Sequence, residues 1–477
     1  MGGTNVQLHH FEMAICENFF QTLARKGMII TMLEPNAYYK GLIDSDIKNS
    51  QKDGKKAQER MIKSTAYSHG IMVYTLYKPK IFTEEMASYF KYISDTMYAI
   101  LDKVIRKYES SAKYRKLFGF DKRLEELILR PRTYDCSLPI TRIDIFFNED
   151  DYSFKFCEFN ADGASAMNED RELNKVISKT APYKKFTEKF NVRTSELFNS
   201  WVKTFLEIYF QTENAVKKPH VAIVDFMHGE TLNYEFEAFK AAFNKHKCTC
   251  EICEITKLKY HDGALYSPEG KKIDAIYRRA VTCDIMESYD EVLPFINAVK
   301  DNAVVLIGDF RTQVIHNKIV FKILHDDMTM DFLTSEEQDF VKEHIPFTTN
   351  LTADAVEKYS VLEHKDNWVI KPEDSYASKG VFAGVEDKSG ENWSKEVLAN
   401  IDNNYLLQEY CTPYESMNID LLHSEDAQYR PYSNITGLFV YGGKLNGVYS
   451  RIAKNSIIST QYSEMSLPTV IVSEKNT

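Results

Sequence analysis

Apolar residues recur at spacings of three and four over the first part of the chain, from about Ala14 to Leu129. The segment EEMASYFKYISDTMYAILDKVIRKY shows this pattern most clearly, and the spacing places its apolar side chains on one helical face. The charged run at residues 45–60 interrupts the pattern and predicts a solvated loop. We therefore expect residues 1–129 to form a helical N-terminal region, in which no motif indicates chemistry.

The helical spacing gives way to alternation after the proline-bounded segment ILRPRTYDCSLPITR. RIDIFF and FKFCEFN flank the polar turn NEDDYS, and together they predict a β-hairpin. Glu158 and Asn160 stand at alternate positions at the end of its second strand, so their side chains share one face. Helical spacing returns from Glu172 to about Phe210, and we take residues 130–215 as one part of the fold.

Strands and helices alternate in the next part of the chain, residues 216–310. HVAIVDF, CEICEI and KIDAIYRRA are typical of strands and EFEAFKAAFNKH of a helix, which predicts a small α/β lobe with a largely parallel sheet. Residues 311–477 contain apolar strands in NWVIKPE and YLLQEY and a Gly-Gly hairpin turn in GLFVYGGKLNGVYSRIA. The pattern thus predicts an α/β (α+β) protein, and ~150 residues per domain suggests two or three compact units.

The composition excludes several classes of protein. The net charge of -10 argues against nucleic-acid binding, which needs a basic surface to displace counterions. No apolar run approaches the ~20 residues that cross a bilayer, and the start MGGTNVQLHHFEM lacks the parts of a signal peptide. We expect a cytoplasmic protein whose partners are small molecules rather than nucleic acid or a membrane.

A cluster of cysteines lies in CTCEIC, which contains Cys248, Cys250 and Cys253. A zinc site would need a fourth ligand, such as His246 or His261, and the chain has no second CxxC to supply one. We therefore expect ordinary buried thiols in a strand.

The register of the hairpin determines which polar residues face each other. A five-residue turn at 149–153 makes the sum of paired residue numbers even, so Asp144 is expected opposite Glu158 and Arg142 opposite Asn160. Opposed carboxylates repel each other, which predicts a cation between them. Aspartate, glutamate and asparagine oxygens suit Mg²⁺, and an arginine can bind phosphate or carboxylate. The alternative is an exposed ion pair in which the arginine bridges both carboxylates.

Phosphate binding is suggested by WVIKPEDSYASKGVFAG, because Lys371 ends an apolar strand before a loop of small residues at 375–384. Backbone N–H groups of such a loop can cover phosphoryl oxygens, although a plain surface turn is the alternative. YLLQEYC ends in Gln408 and Glu409, and such a strand can pair an adenine through its backbone. A buried strand end is the alternative for that segment.

These motifs together resemble the synthetase domain of glutathionylspermidine synthase. The resemblance runs from about residue 130 to the C-terminus and is carried by the order of the motifs: the hairpin pairs RxD and ExNAD, IDAIYRRA, HNK, VIKP, LQEY and GLFVYGGKLNGVYSRIAKNSIIS. It implies a circularly permuted ATP-grasp fold. In that fold residues 130–215 form the metal-binding part of the core, 216–310 a Rossmann-like α/β lobe, and 311–477 the ATP-binding lobes.

The resemblance also implies a role for each matching residue. Metal binding falls to Asp144, Glu158 and Asn160, which would hold Mg²⁺ with the phosphates of ATP. Arg142 would steady the transferred phosphoryl group, and Arg451 would close over the reacting acyl phosphate. The remaining implied contacts are with the nucleotide: Lys318 and Lys371 at its phosphates, Lys379 in place of a loop arginine, and Gln408, Glu409 and Tyr410 around its adenine.

The reaction implied is an ATP-dependent ligation of a carboxylate to an amine, through an acyl phosphate, on a small peptide or amino acid. The loop SYASKG stands where the family has Gly-Arg-Glu-Gly, and YRRAVTCDI replaces an aromatic, acidic run. These departures leave the acid and the amine open, a polyamine among them. The alternative function is a catalytically inactive nucleotide-binding protein with a regulatory or scaffolding role.

Overall fold

The computed structural model describes residues 29–68, 70–227, 233–375, 378–458 and 464–475. Its α-helices are α1 Ile29–Asp44, α2 Ile47–Ile62, α3 Glu84–Ser110, α4 Ala112–Arg115, α5 Lys122–Ile128, α6 Met167–Ile177, α7 Ala181–Lys189, α8 Phe198–Tyr209, α9 Tyr234–Lys245, α10 Thr282–Glu287, α11 Leu293–Lys300, α12 Gln313–His316, α13 Val320–Ile323, α14 Asp327–Met330, α15 Ser335–His344, α16 Ala353–Lys358 and α17 Glu391–Ala399. Short 3₁₀ turns are Ile255–Lys257, Phe310–Thr312, Lys365–Asn367 and Gly384–Glu386.

The strands are β1 Tyr67–Ser68, β2 Ile71–Met72, β3 Lys80–Thr83, β4 Ile140–Phe147, β5 Phe154–Asn160, β6 Phe190–Arg193, β7 His220–Asp225, β8 Thr249–Glu254, β9 Lys259–His261, β10 Ala264–Tyr266, β11 Ala275–Arg278, β12 Val305–Ile307, β13 Thr348–Asn350, β14 Trp368–Pro372, β15 Phe382–Ala383, β16 Tyr405–Glu409, β17 Glu415–Ile419, β18 Tyr429–Tyr441, β19 Lys444–Ala453, β20 Met465–Leu467 and β21 Thr469–Glu474.

The central sheet joins the predicted hairpin to the C-terminal strands. Its order is β20-β19-β18-β4-β5, and β17 also pairs with β18. The hairpin of β18 and β19 turns at Gly442 and Gly443, both with positive φ, as the Gly-Gly pair predicts. Strands far apart in the chain thus become neighbours, which brings the start of the predicted site next to its end.

The register at the end of β5 is the predicted one: Arg142 pairs with Asn160 and Asp144 pairs with Glu158. Nearer the turn, however, the paired residue numbers have an odd sum, and a bulge at Cys157 shifts the register by one. The prediction is therefore confirmed at the site, although the turn alone does not produce it. Because a bulge re-aims side chains, it also places the carboxylate of Glu158 relative to β4.

Beside the central sheet, the described residues form three sheets of three or four strands and two two-stranded sheets, β1-β2 and β10-β9. The order β12-β11-β7-β8 is parallel throughout, which confirms the parallel sheet predicted for the α/β lobe. Cys250 and Cys253 lie on β8 and Cys248 just before it, all buried, as predicted. An antiparallel sheet of order β13-β16-β14-β15 carries the VIKP and LQEY motifs, and a sheet of order β3-β21-β6 joins the C-terminal strand β21 to two strands from earlier in the chain.

The N-terminal region differs from its prediction in two ways. Residues 45–60 are not a solvated loop, because α2 covers most of them and buries Gly54 and Ala57 among other residues. A Cβ at Gly54 would lie 2.1 Å from the carbonyl oxygen of Leu421, so only glycine permits this close packing. In addition, β1, β2 and β3 interrupt the predicted helices. The helical prediction for residues 14–28 lies outside the described residues.

None of the helices within the described ranges combines the length and the apolar character needed to span a bilayer. The boundaries proposed at residues 129, 215 and 310 remain predictions.

A buried carboxyl group on α6 makes stability depend on pH. Asp170 is completely buried and accepts a hydrogen bond from the backbone N–H of Thr469 at 3.0 Å. Burial raises the pKa of Asp170 from 3.8 to about 7. Because the folded pKa lies above the unfolded one, the stabilising contribution is complete below about pH 4 and is lost as the pH rises through 7. Relative to wild type, Asp170→Asn is expected to raise the free energy of unfolding by roughly 1–3 kcal/mol more at pH 8 than at pH 4.

The measurement is the urea midpoint of each protein at pH 4, 6 and 8. Asp95→Asn, an exposed carboxylate on α3, serves as the control and should leave the pH dependence unchanged. Parallel pH profiles for wild type and Asp170→Asn would contradict the assignment.

Candidate functional site

Two cavities meet at the end of the β4–β5 hairpin. The first, of about 110 Å³, is called the lysine cavity because Lys318 and Lys371 line it, and its apolar lining includes Phe146, Phe156 and Val369. The second, of about 620 Å³, is called the arginine cavity because Arg142, Arg279 and Arg451 line it. Glu158 lines both cavities. A group bound in one cavity can therefore reach a group bound in the other at this carboxylate.

Asp144 lies at the centre of a buried ion-pair network. Its side chain is 0% exposed and accepts hydrogen bonds from Arg142 at 2.7 and 3.0 Å and from Arg451 at 2.6 Å. The side-chain amide of Asn160 donates a further bond at 3.1 Å, and Arg451 also pairs with Glu464 at 3.2 Å. The exposed bridge between two carboxylates considered from the sequence does not form, since Arg142 is buried against Asp144.

Gly437 on β18 permits this network to pack against the sheet. A Cβ at this position would lie 2.9 Å from Cδ of Arg142 and 2.9 Å from Oδ1 of Asp144. Any other residue would push the buried pair out of place, so glycine in GLFVYGG is a requirement of the site rather than of the strand.

Glu158 carries its charge under all ordinary conditions. Burial alone would raise its pKa, but Lys318, 3.6 Å away, together with Arg451, His316 and Arg142, lowers the pKa to about 2. Its side chain is 26% exposed, which is consistent with its position in the walls of both cavities. The group is thus an ionised oxygen donor in a positively charged surrounding, a combination suited to phosphate and metal chemistry.

The two lysines are held at the other side of the junction. Lys318 follows α12, and its ammonium group donates to the carbonyl of Ser375 while its backbone N–H donates to the carbonyl of Glu373. Lys371 lies on β14 and is 8% exposed; burial lowers the pKa of its ammonium group, which Cys157 and Glu158 partly counteract. Both lysines therefore line the lysine cavity together with Glu158.

The strand end at 408–410 forms a wall of the lysine cavity. Gln408 is buried, and its side-chain amide donates to the hydroxyl of Thr348 at 2.8 Å. Glu409 is exposed; its backbone N–H donates to the carbonyl of Phe347 at 2.9 Å, and its carboxylate accepts from the N–H of Phe347 at 3.3 Å. The backbone N–H of Tyr410 donates to the carbonyl of Asn367 at 2.8 Å. All three residues line the cavity together with the lysines.

Lys379 is not brought to either cavity among the residues that line them, and its side chain is exposed. The backbone carbonyl of Lys379 accepts a bond from the hydroxyl of Ser375 at 3.0 Å. Its proposed place at the nucleotide phosphates is therefore not supported by its position here.

The arginine pair of YRRA was not recognised from the sequence as part of the site. Arg278 pairs with Asp162 at 2.5 Å, with both side chains almost fully buried, and Arg279 pairs with Glu235 at 3.1 Å and donates to the carbonyl of Ala164. The β11 arginines thus fix the loop that follows Asn160. The sequence does contain a signal for this role: two adjacent arginines stand at the end of an apolar strand, where buried charges need partners.

The same loop reaches the network around Asp144. Arg142 donates to the carbonyl of Ser165 at 2.9 Å, and Ala166 has φ of 86°, a left-handed conformation that costs a non-glycine residue about 1–2 kcal/mol. Such strain persists only where the surroundings fix it, and here it directly follows two carbonyls, those of Ala164 and Ser165, that accept hydrogen bonds from arginines. Residues 161–166, between β5 and α6, therefore form a constrained loop that lines the arginine cavity.

The donor set fits Mg²⁺ only in part. Within the described ranges no group of three His, Cys, Asp or Glu side chains is arranged to hold a metal ion. Glu158 is ionised and faces both cavities, and Mg²⁺ accepts one or two carboxylates when phosphate and water complete its shell. Both oxygens of Asp144 already accept hydrogen bonds from arginines, so its use as a ligand requires one guanidinium to move. Glu158 and Asn160 fit a metal held jointly with phosphate.

Comparison with solved structures found three similar chains, of which the first supports this architecture. The chain matches a glutathione synthetase-like effector from Globodera pallida with a TM-score of 0.59, at 12% identity over 88% of this chain and 96% of that one. A putative gamma-glutamylcysteine synthetase from Methylobacillus flagellatus matches at 8% identity over 78% and 86% of the two chains, with a TM-score of 0.39. D-cycloserine synthetase DcsG matches at 14% identity over 52% and 90%, with a TM-score of 0.26.

The chain shares the fold of the glutathione synthetase-like effector. The likeness to the glutathione synthetase-like effector confirms the predicted α/β (α+β) fold class. No family description matches the chain, and no curated protein matches it by sequence. The specific resemblance to glutathionylspermidine synthase is not confirmed.

Proposed function

We propose that the protein is an ATP- and Mg²⁺-dependent ligase that joins the carboxylate of a small peptide or amino acid to an amine through an acyl phosphate. The observation that carries this proposal is the position of Glu158, which lines both the lysine cavity and the arginine cavity. A ligase of this kind needs a nucleotide pocket and a substrate pocket that share one point, where the phosphoryl group passes from one to the other.

The lysine cavity supports nucleotide binding. Its apolar walls suit a purine, Gln408, Glu409 and Tyr410 line it at the end of β16, and Lys318 and Lys371 line it as cations for the phosphates. This part of the proposal retains every predicted nucleotide contact except that of Lys379.

The arginine cavity supports binding of the acid at its junction with the lysine cavity. Arg142 and Arg451 line this cavity, and a guanidinium can hold a carboxylate or a phosphoryl group at two points. Mg²⁺ held by Glu158 and Asn160 would shield the charge of the phosphates. The substrate carboxylate then attacks the γ-phosphorus and ADP leaves; the amine attacks the acyl carbon, phosphate leaves, and the amine nitrogen loses a proton.

The protein needs no covalent nucleophile for this chemistry, because positioning and charge stabilisation supply the rate. Arg142 is fixed by Asp144 and the carbonyl of Ser165, and Lys318 by the carbonyl of Ser375. Groups held in this way lose little freedom when substrate binds, which is the condition for efficient electrostatic catalysis.

The test measures ADP and phosphate release by the purified protein with ATP and Mg²⁺. The acids are L-glutamate, γ-glutamylcysteine and glutathione, and the amines are glycine, L-cysteine and spermidine, each tested alone and in pairs. Release that requires both an acid and an amine would support the ligase. Tight ATP binding without release from any pair, across a wider panel of acids and amines, would favour the non-catalytic nucleotide-binding alternative. Absence of ATP binding would refute both.

Removal of a buried lysine should weaken nucleotide binding. Lys371→Met is expected to raise the Kd of ATP about 10- to 100-fold, since a charge-assisted hydrogen bond contributes roughly 1.5–3 kcal/mol. Isothermal titration with ATP and Mg²⁺ measures the change. Lys379→Met is the matched control, because Lys379 is exposed and lines neither cavity, and it should change the Kd less than about twofold. Equal losses in both variants would contradict the assignment of the cavity.

A further inference from the structure

The N-terminal region reaches the arginine cavity through the hairpin of β1 and β2. Tyr67, Ser68 and Gly70 line that cavity. Within the described residues the two strands pair only with each other, as a separate two-stranded sheet. A wall of the substrate pocket therefore comes from a part of the chain in which no sequence motif indicated chemistry.

The base of the hairpin is tied to the loop beside the junction. The side-chain amide of Asn168, a residue that is 1% exposed, donates to the carbonyl of Thr65 at 2.6 Å, and the N–H of Val73 donates to the carbonyl of Ala66 at 2.9 Å. Asn168 lies in the first turn of α6, directly after the constrained loop. The hairpin thus has a fixed position relative to Arg142, although only two residues in each strand hold it together.

The ring of Tyr67 meets the ring of Tyr234, with centroids 6.0 Å apart and planes inclined by 49°. Tyr234 begins α9 and also lines the arginine cavity, so one tyrosine from the N-terminal region and one from the α/β lobe enclose it together. The faces of such rings attract cations, and an ammonium group is the cation that an amine substrate brings at neutral pH.

The charges of the cavity agree with a cationic occupant at this wall. Glu169, Asp225 and Asp284 line the arginine cavity and form no ion pair with any described residue. Burial, with a smaller contribution from Asp284, raises the pKa of Asp225 to about 6 against the opposing influence of Arg279. Acids without a cationic partner favour a positively charged ligand, whereas the acid substrate suits the arginines at the junction.

We infer that the β1–β2 hairpin is the element that selects the amine substrate and that Tyr67 contacts this substrate directly. The inference rests on the proposed ligase function and deepens it, because it assigns the amine to the wall formed by Tyr67 and Tyr234 and leaves the acid at Arg142 and Arg451. Tyr67 then determines specificity without taking part in phosphoryl transfer.

The experiment compares Tyr67→Ala and Tyr67→Phe with wild type in the release assay, with glycine, L-cysteine or spermidine as the amine that the wild type uses. Tyr67→Ala is expected to raise the KM of the amine about tenfold or more, with the KM of ATP within about twofold. Tyr67→Phe keeps the ring and should restore most of the affinity. Ile71→Ser changes an exposed residue of the same hairpin outside the cavity lining, and it should leave both KM values unchanged.

An unchanged KM for the amine in Tyr67→Ala would overturn the inference and leave the ligase function standing. A rise in the KM of ATP as large as that of the amine would assign Tyr67 a structural role and would also overturn it. Absence of ligation in the wild type, with ATP still bound, would refute the proposed function and the inference that rests on it.

Discussion

Glu158→Gln is expected to lower ligation at least about 100-fold while the protein remains folded. The amide has the shape of the carboxylate but no charge, so it cannot hold a cation between the two cavities or balance Lys318 at 3.6 Å. The side chain keeps some contact with solvent, and loss of its ion pair is offset by a smaller desolvation cost. We therefore expect a change in stability of no more than roughly 2 kcal/mol. Phosphate release under saturating ATP measures the rate, and urea unfolding measures the stability.

The control for this variant is Glu425→Gln, an exposed glutamate that pairs with Lys55 at 2.8 Å, and it should retain full activity. The pKa of about 2 adds a second expectation, since Glu158 stays ionised as the pH falls to 4. Any fall in the rate between pH 4 and 6 therefore comes from another group, and Glu158→Gln should keep the pH at which that fall occurs while it lowers the rate. Turnover by Glu158→Gln within threefold of wild type would remove this residue from the mechanism.

The central hairpin shows how far the sequence determines the site. Alternation and the polar turn predicted both strands, and parity predicted that Asp144 faces Glu158, as the structure confirms. The bulge at Cys157 was not predictable, because nothing in FKFCEFN distinguishes a bulged residue from a paired one. Two deviations cancelled: the turn is tighter than assumed, and the bulge returns the register to the predicted one.

Long-range contacts account for most of what the sequence did not reveal. Arg451 and Asp144 are 307 residues apart, and their contact depends on β18 lying between β4 and β19. The resemblance suggested Arg451, but spacing alone could not pair it with Asp144. The sequence predicted a loop at Gly54 because most of its neighbours are charged. A helix forms there instead, because its small buried face packs closely against Leu421.

Asp144→Asn is expected to cost about 3–5 kcal/mol of stability in addition to activity, in contrast to Glu158→Gln. Asp144 is 0% exposed and is the shared partner of Arg142 and Arg451, so a neutral amide leaves two buried guanidinium groups facing each other. Part of the lost attraction remains through Glu464, which still pairs with Arg451 at 3.2 Å. The midpoint of urea unfolding measures the effect.

Asp135→Asn provides a matched control, because Asp135 also pairs with an arginine, Arg106, at 3.0 Å, but its side chain is 81% exposed. That variant should lose less than about 1 kcal/mol, since exposed ion pairs contribute little. A double variant, Asp144→Asn with Arg451→Gln, should lose less stability than the two single variants lose in sum, because it removes one of the two unpaired cations. Equal and small effects of Asp144→Asn and Asp135→Asn would mean that the network around Asp144 is open to water, and the arginines would then be free to leave the carboxylate for a substrate without loss of the fold.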